Sequence, residues 1–345
     1  MAYFDKESLI EFATRYLIKK KILPKDARYI ADLLVLTDAL GFHTHGLYSL
    51  ISYNEDLGVC INPEARPVVV KSQGATAVVD GQSGMGQLSM RTAKVLGRRK
   101  ALRYGIAMIN VRNSGWIAAL GVHLLSLAEE GFLARVWAQS IGYRLTAPHG
   151  GIDARMSTNP VAIAVPTDCD PILGDFAMSI VSVGKVQEMI AQDEKSVVPL
   201  FLDSNGNPSG DPKILEQGGT IMFLGGERHG YKGYALALWN EACAALAGGC
   251  CNRSGTAQAS QSFCLLVVNP DSFAGRQYFI EETKRFIADL KTSTPRSGVG
   301  TVRVPGERAF SCLRQAEKKG IFLKDDVVSQ LQNLARESAI EDIFA

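Results

Sequence analysis

Along this chain the apolar positions switch between helical and strand-like spacing, and the switches mark the elements. Asp5 reads as a helix N-cap, followed by Leu9, Phe12 and Tyr16 at helical spacing; beyond Pro24 a second helix carries Ala27, Ile30, Ala31 and Leu34 until Gly41 offers a stop. Past Pro63 and Pro67 the texture changes. "ATAVVD" (75–80), "IAMINVR" (106–112) and "FLARVWAQ" (132–139) read as strands, with helices predicted over 89–104 and 117–130 between them. Met90, Ala93, Gly97, Ala101 and Tyr104 form the stripe of the first of these helices, and Gly105 and Gly131 close the two. "VAIAVP" (161–166) and "FCLLVV" (263–268) add β-like runs. Between them a nearly all-round apolar helix, Tyr234 to Leu246, is expected to be buried. After Pro295 the pattern is helical again, near 307–319 and 325–338, so helical ends flank a strand-and-helix middle.

Composition narrows the function classes. With 46% hydrophobic and 21% charged residues in 345, the chain is long enough for one large domain or two to three smaller ones. A net charge of +2 gives no general attraction for phosphate backbones, and the basic run Arg98, Arg99, Lys100, Arg103 reads as a solvated helix face, so nucleic acid is not an expected partner. The first residues, MAYFDKESLI, lack the basic-then-apolar order of a secretion signal, and the most apolar window is broken by Asn240 and Glu241, so no membrane span is expected. Seven cysteines without CxxC spacing fit reduced thiols and a cytoplasmic location better than a disulfide framework or zinc ribbon.

Three stretches carry candidate chemistry. "DGQSGMGQLSM" has Gly81, Gly84 and Gly86 but Ser89 where a dinucleotide fingerprint has its third glycine, so the usual motif is absent. "LGGERHGYKGYALAL" leads from Gly225 into a helix with Lys232 at its mouth, a pattern suited to an anion or to a tight turn. "GFHTHGLYSL" places His43 and His45, two of only five histidines, at a helix exit. With no HExxH or Cys/His cluster nearby, no metal site is expected. Either the pair packs a helix end, or one imidazole passes a proton to a substrate heteroatom while hydride reaches its carbon. Asp175 in "PILGDFAMS" could orient such an imidazole or simply cap a turn.

The set "THG" (44–46), "DGQSGMGQ" (80–87), "GIAMINVRNS" (105–114), "STNPVAIAVP" (157–166), "GDFAMS" (174–179), "KG" (232–233) and "VPGER" (304–308), in that order over nearly the whole chain, resembles the type-2 malate/L-lactate dehydrogenase family. That family includes ureidoglycolate, sulfolactate and diketogulonate oxidoreductases and cyclic-ketimine carboxylate reductases. The resemblance implies an α+β fold, mixed α/β overall, with a non-Rossmann NAD- or NADP-binding domain on a mostly antiparallel sheet, and a helical domain from both chain ends. Here those would be residues 76–295 and residues 1–75 with 296–345. It also implies a homodimer and a small 2-oxo acid, 2-hydroxy acid or cyclic imino acid as substrate. By residue, it implies His45 as proton donor with Thr44 beside it and Asp175 as orienter. It implies cofactor contacts at Leu173, Gly174, Phe176, Ala177, Met178, Ser179, Lys232, Gly233, Glu307, Arg308 and Ala309. Thr158 and Asn159 fall where the substrate pocket is expected, or where a structural turn precedes Pro160.

Two departures bear on substrate. Where family members commonly carry an arginine four residues after the histidine, this chain has Ser49, and where they carry a histidine in "N-S-x-H" it has Trp116. Loss of a cation able to clamp a carboxylate argues against ordinary malate or lactate and leaves Trp116 to stack on a ring or fill space. A dedicated ketimine reductase, or a paralogue that binds cofactor or metabolite but turns over poorly, are the competing readings.

Overall fold

The structure, a computed structural model, describes residues 2–253 and 260–344. Its first third runs β1 (Ala2–Phe4), α1 (Lys6–Lys19), α2 (Pro24–Ala39), α3 (Ser49–Asp56), β2 (Val68–Gln73), β3 (Thr76–Asp80), α4 (Gly86–Tyr104) and β4 (Ile106–Ser114). The middle holds α5 (Leu125–Glu129), β5 (Leu133–Ile141), β6 (Val161–Val165), β7 (Ile172–Phe176), α6 (Val183–Ala191), β8 (Phe201–Leu202), β9 (Pro208–Ser209), β10 (Thr220–Ile221) and α7 (Gly226–His229). The chain closes with α8 (Tyr231–Leu246), β11 (Ser260–Val268), α9 (Arg276–Lys291), α10 (Glu307–Lys319), β12 (Ile321–Leu323) and α11 (Asp325–Ser338).

Seven strands form one sheet in the order β2-β3-β4-β11-β5-β6-β7. β3 and β4 are parallel, joined by the α4 crossover that parallel neighbours require, and the other neighbouring pairs are antiparallel. The predicted strands at 75–80, 106–112, 132–139, 161–166 and 263–268 all lie in this sheet. Val79, Ile109, Val136 and Leu265, all fully buried, form its core with α4 and the 117–128 segment. A second core joins the two chain ends: Leu9, Tyr16, Ile30 and Leu34 pack with Leu331 and Leu334, and β1 pairs antiparallel with β12. β2 belongs to the sheet, so residues 68–73 lie with the strands rather than the helices of the chain ends. No helix among the described residues is long and apolar enough to cross a membrane.

Two expectations from the apolar pattern change in the structure. The predicted helix over 117–130 is helical only from Gly121, as one 3₁₀ turn followed by α5. Residues 115–120 are irregular because tertiary partners take their backbone groups: Gln261 Oε1 accepts from the Ile117 N–H at 2.9 Å, and His123 Nε2 meets the Ile117 carbonyl at 3.1 Å. Ala118, at φ 66°, turns the segment through the left-handed region, a strained conformation for a residue with a Cβ. The glycines of "DGQSGMGQ" serve the same segment. A Cβ on Gly86 would lie 2.4 Å from the Trp116 carbonyl oxygen and one on Gly81 2.7 Å from that of Asn113, so glycine is what lets these chains cross.

The second change concerns α8, which was expected to be buried all round. Its inward face carries Ala237, Asn240, Glu241 and Ala244, while Leu236, Leu238, Trp239 and Leu246 face outward at 44–65% exposure. The polar residues are inside because they have partners there. Asn240 Nδ2 donates to the Asn159 carbonyl at 2.9 Å, and Glu241 accepts from Asn159 Nδ2 at 3.0 Å and from the Asn252 N–H at 2.8 Å. Burial raises the Glu241 carboxyl above its ordinary value, against the pull of those two donors.

Candidate active site

The turn between α2 and α3 is shaped by a side chain that the sequence reading passed over. Asp38, fully buried at the end of α2, accepts from the Leu47 N–H at 2.7 Å through Oδ2 and meets His43 Nδ1 at 3.2 Å through Oδ1. Its carboxylate fills the space a side chain on Gly46 would need: a Cβ there would lie 2.2 Å from Asp38 Cγ. Burial pushes the Asp38 carboxyl up, while His43 and the Leu47 N–H pull it down. His43 is therefore engaged in holding the turn. His45 is free of that carboxylate; its Nδ1 lies 2.8 Å from Thr44 Oγ1. Neighbouring protein lowers its pKa by desolvation, although the residue as a whole is exposed to solvent.

His45 lines a cleft of about 420 Å³ together with Thr44, Ser49, Trp116, Thr158 and residues of α3, β5 and α6. α3 presents Ser49, Ser52, Tyr53 and Asp56 to it, the i, i+3, i+4, i+7 face of one helix. The first turn of α6 closes the opposite side, where Gly184 sits so near that a Cβ would lie 2.7 Å from Thr44 Cβ. Trp116 stands against Tyr143 edge to face, with centroids 5.1 Å apart, and donates from Nε1 to Asp56 Oδ2 at 2.6 Å. Tyr53, fully buried, meets Gln87 Nε2, which ties α3 to α4 behind the cleft.

The residues of the expected cofactor contact lie along β7 and its flanks. At the start of the strand the Leu173 N–H donates to the Pro305 carbonyl at 3.1 Å, which brings Glu307, Arg308 and Ala309 alongside. Gly306 is needed there, since a Cβ would lie 2.9 Å from the Leu173 nitrogen. Ala309 is buried in the sheet-side core, Glu307 pairs with Lys291, and Arg308 is exposed. At the far end, Met178 and Ser179 donate through their N–H groups to the carbonyl of Thr158 at 2.8 and 3.4 Å, so this segment borders the cleft wall. Met178 passes its own carbonyl to the Leu224 N–H at 2.7 Å, and Gly233 packs on both, a Cβ there lying 2.8 Å from the Met178 oxygen. Lys232 is exposed at the head of α8, with Nζ over the Tyr231 ring at 5.9 Å. Gly174 is buried, Ala177 half-buried and Phe176 46% exposed.

Of the residues predicted for catalysis and substrate, two sit apart from the cleft, and none of those predicted for the cofactor lines it. Asn159 is fully buried at φ 45°, facing α8 through Glu241. Asp175 accepts from the Gly121 N–H at 2.7 Å, on the segment that carries Trp116, Ala118 and Leu120 into the cleft, and among the described residues no hydrogen bond joins it to His45. Burial lifts the Asp175 carboxyl to about 6, with the Gly121 and Leu120 N–H groups opposing. Among the described residues, no group of three or more His, Cys, Asp and Glu could hold a metal ion.

The malate/L-lactate dehydrogenase family model matches residues 4–332. The chain belongs to that family. Like its named relatives it is an oxidoreductase of the dehydrogenase and reductase kind. It is 29% identical to malate dehydrogenase of Pyrococcus horikoshii over 98% of this chain and 96% of that one. A solved malate dehydrogenase from that organism superposes with a TM-score of 0.89 at 28% identity, covering 99% of this chain and 96% of that one. Hydroxycarboxylate dehydrogenase B of Escherichia coli K12 is 30% identical over 93% of this chain and 90% of its own length. A Δ1-pyrroline-2-carboxylate/Δ1-piperideine-2-carboxylate reductase of Pseudomonas syringae pv. tomato is 29% identical over 95% and 94%.

The Asp175 carboxyl binds its proton more tightly in the folded protein, at about 6 against 3.8 in the open chain. The stability this gives is complete below about pH 4 and lost as pH rises through 6. In paired urea unfolding from pH 4 to 7, wild type should lose roughly 2 kcal/mol relative to Asp175→Asn. Parallel pH profiles for the two proteins would contradict the assignment.

Proposed function

We propose that this protein transfers hydride between a nicotinamide dinucleotide and a small 2-oxo or 2-hydroxy acid, with His45 as the acid and base of the reaction. The observation that carries this reading is a single cleft. It is bordered on one side by His45 with Thr44 on its Nδ1 and on the other by Thr158, whose carbonyl holds the Met178–Ser179 segment.

The residues along β7 suit a dinucleotide. Gly174, Gly233 and Gly306 let neighbouring chain segments pack closely around the strand, while Lys232 and Arg308 offer exposed cations with no ion-pair partner among the described residues. Leu173 to Ser179, Lys232 with Gly233, and Glu307 to Ala309 would hold NAD or NADP, which supplies or takes up the hydride when bound. With Nδ1–H donating to the Thr44 hydroxyl oxygen, Nε2 is the nitrogen that exchanges the proton, carrying it in the imidazolium and presenting a lone pair in the neutral ring. In the reducing direction His45 gives that proton to the oxygen on which charge develops, and in the oxidising direction it takes it back. Desolvation lowers its pKa and so favours the neutral ring that accepts the proton in oxidation, while reduction, which draws on the imidazolium, is favoured as pH falls. Asp175 acts at one remove, by fixing the Leu120–Gly121 backbone at the cleft wall.

A cyclic imino acid is the second reading. It is supported by the Pseudomonas syringae relative, by Trp116, which offers a flat wall, and by a cleft lining that holds no Lys or Arg among the described residues. Proton transfer to a ring nitrogen would use His45 in the same way. We also propose a homodimer, because the apolar outer face of α8 is of the kind that subunits cover.

His45→Asn should lower kcat by about two to four orders of magnitude with dinucleotide binding retained, whereas His43→Asn should cost far less kcat and mainly stability. Steady-state kinetics with calorimetric dinucleotide titration separates the two, and a His45→Asn enzyme that keeps most of its kcat refutes the role. Light scattering at micromolar protein should give about twice the 37.3 kDa chain mass, and a monomer mass would reject the dimer.

A further inference from the structure

We infer that the cleft selects substrates whose far end carries a positive charge, with Asp56 as the residue that recognises it. This rests on the proposed function and names the substrate class of that same site.

α3 sets the scale. Its cleft face begins at Ser49, one turn after His45, and ends seven residues later at Asp56, a span of about 10 Å. A substrate reacting beside His45 and lying along α3 therefore brings its far end to Asp56. Ser49 has no charge, and among the described residues none of the side chains lining the cleft is Lys or Arg, so no cation of that lining clamps a second carboxylate. The charges present have the opposite sign. Asp56 and Glu55 both line the cleft, and neither has an ion-pair partner among the described residues.

Asp56 is also fixed in place. Trp116 Nε1 donates to Oδ2 at 2.6 Å and Cys60 Sγ to Oδ1 at 3.3 Å, so the carboxylate is oriented by neutral donors and its charge stays uncompensated. Trp116 and Tyr143 stand edge to face beside it. An aromatic wall next to an unpaired carboxylate attracts an ammonium, guanidinium or quaternary ammonium group, through ring faces as well as charge. The C-terminal end of α3 adds its negative pole at the same place. The local field is visible in the neighbours: burial and the Asp56 carboxylate together raise the Cys60 thiol to about 11, and burial followed by Asp56, Cys60 and Glu55 raises Tyr143. In this reading, Trp116 is a positioning residue for Asp56.

The test is a matched series of 2-oxo acids with saturating reduced dinucleotide. It comprises 2-oxopentanoate with a neutral end, 2-oxopentanedioate with an anionic end, and 5-(trimethylammonio)-2-oxopentanoate, whose cationic end cannot cyclise onto the carbonyl. The wild type should favour the quaternary ammonium substrate over the dioate by about tenfold or more in kcat/KM, chiefly through KM. Asp56→Asn keeps an acceptor for Trp116 and should reduce that preference by about tenfold, with the thermal midpoint and dinucleotide affinity reporting intact folding. Equal or better use of the dioate by the wild type overturns the inference, as does an unchanged preference in Asp56→Asn. Turnover of the neutral acid shows that hydride transfer itself stands in either case. A protein that reduces none of the three refutes the proposed function and this inference together.

Discussion

The site depends on one buried carboxylate. Asp38 ends α2 inside the protein, where an unpaired acid would be costly, and its two oxygens are satisfied by the Leu47 N–H and His43 Nδ1. Those two bonds define the turn: the chain must bend over the carboxylate, the residue above it must be Gly46, and α3 must start immediately afterwards. Thr44 and His45 lie at the outer edge of that bend. The proposed acid/base role of His45 needs a fixed position for the imidazole, and the bend that sets it is held by His43 and Asp38.

The rest of the cleft is delivered by chain crossings. Gly81 and Gly86 let the loop before α4 pass against the end of β4, and beyond that crossing the 115–120 segment runs irregularly into the cleft. It is pinned by Gln261 and His123 from below and by Asp175 at Gly121. His123 is held there as a neutral group: burial, with Lys94 nearby, lowers its pKa to about 3. Trp116 is thereby held against Asp56, and the strand that carries Asp175 is the one along which the proposed dinucleotide contacts lie. The cleft and the segment proposed to hold the dinucleotide are joined by contacts to backbone groups at Thr158, Met178 and Gly121.

The alternating strands and the helices at both ends were legible in the sequence because burial imposes their periods, and Gly105 and Gly131 closed their helices as a left-handed glycine does. The start of the 117–130 segment misled, since Ile117 and Ala119 are buried outside any helix, and a partner far off in sequence, Gln261, takes the Ile117 N–H. α8 misled in the opposite sense, because Asn240 and Glu241 find hydrogen-bond partners inside while Leu236, Leu238, Leu246 and much of Trp239 face outward. At the site, Thr44, His45, Ser49, Trp116 and Thr158 could be named from motifs and do converge. Asp38 and Asp56 could not, because each acquires meaning only from the backbone or ring that folding brings to it.

The central claim is that the His45 cleft and the β7 segment form one hydride-transfer site. A crystal structure of the protein with reduced dinucleotide and a non-reducible 2-hydroxy acid bound tests it most directly. The account predicts the nicotinamide beside Met178–Ser179, its C4 within about 3.5 Å of the acid's C2, and His45 Nε2 in hydrogen-bond reach of the 2-oxygen. A nicotinamide seated away from the cleft, or an acid whose 2-oxygen is met by a group other than His45, would contradict it.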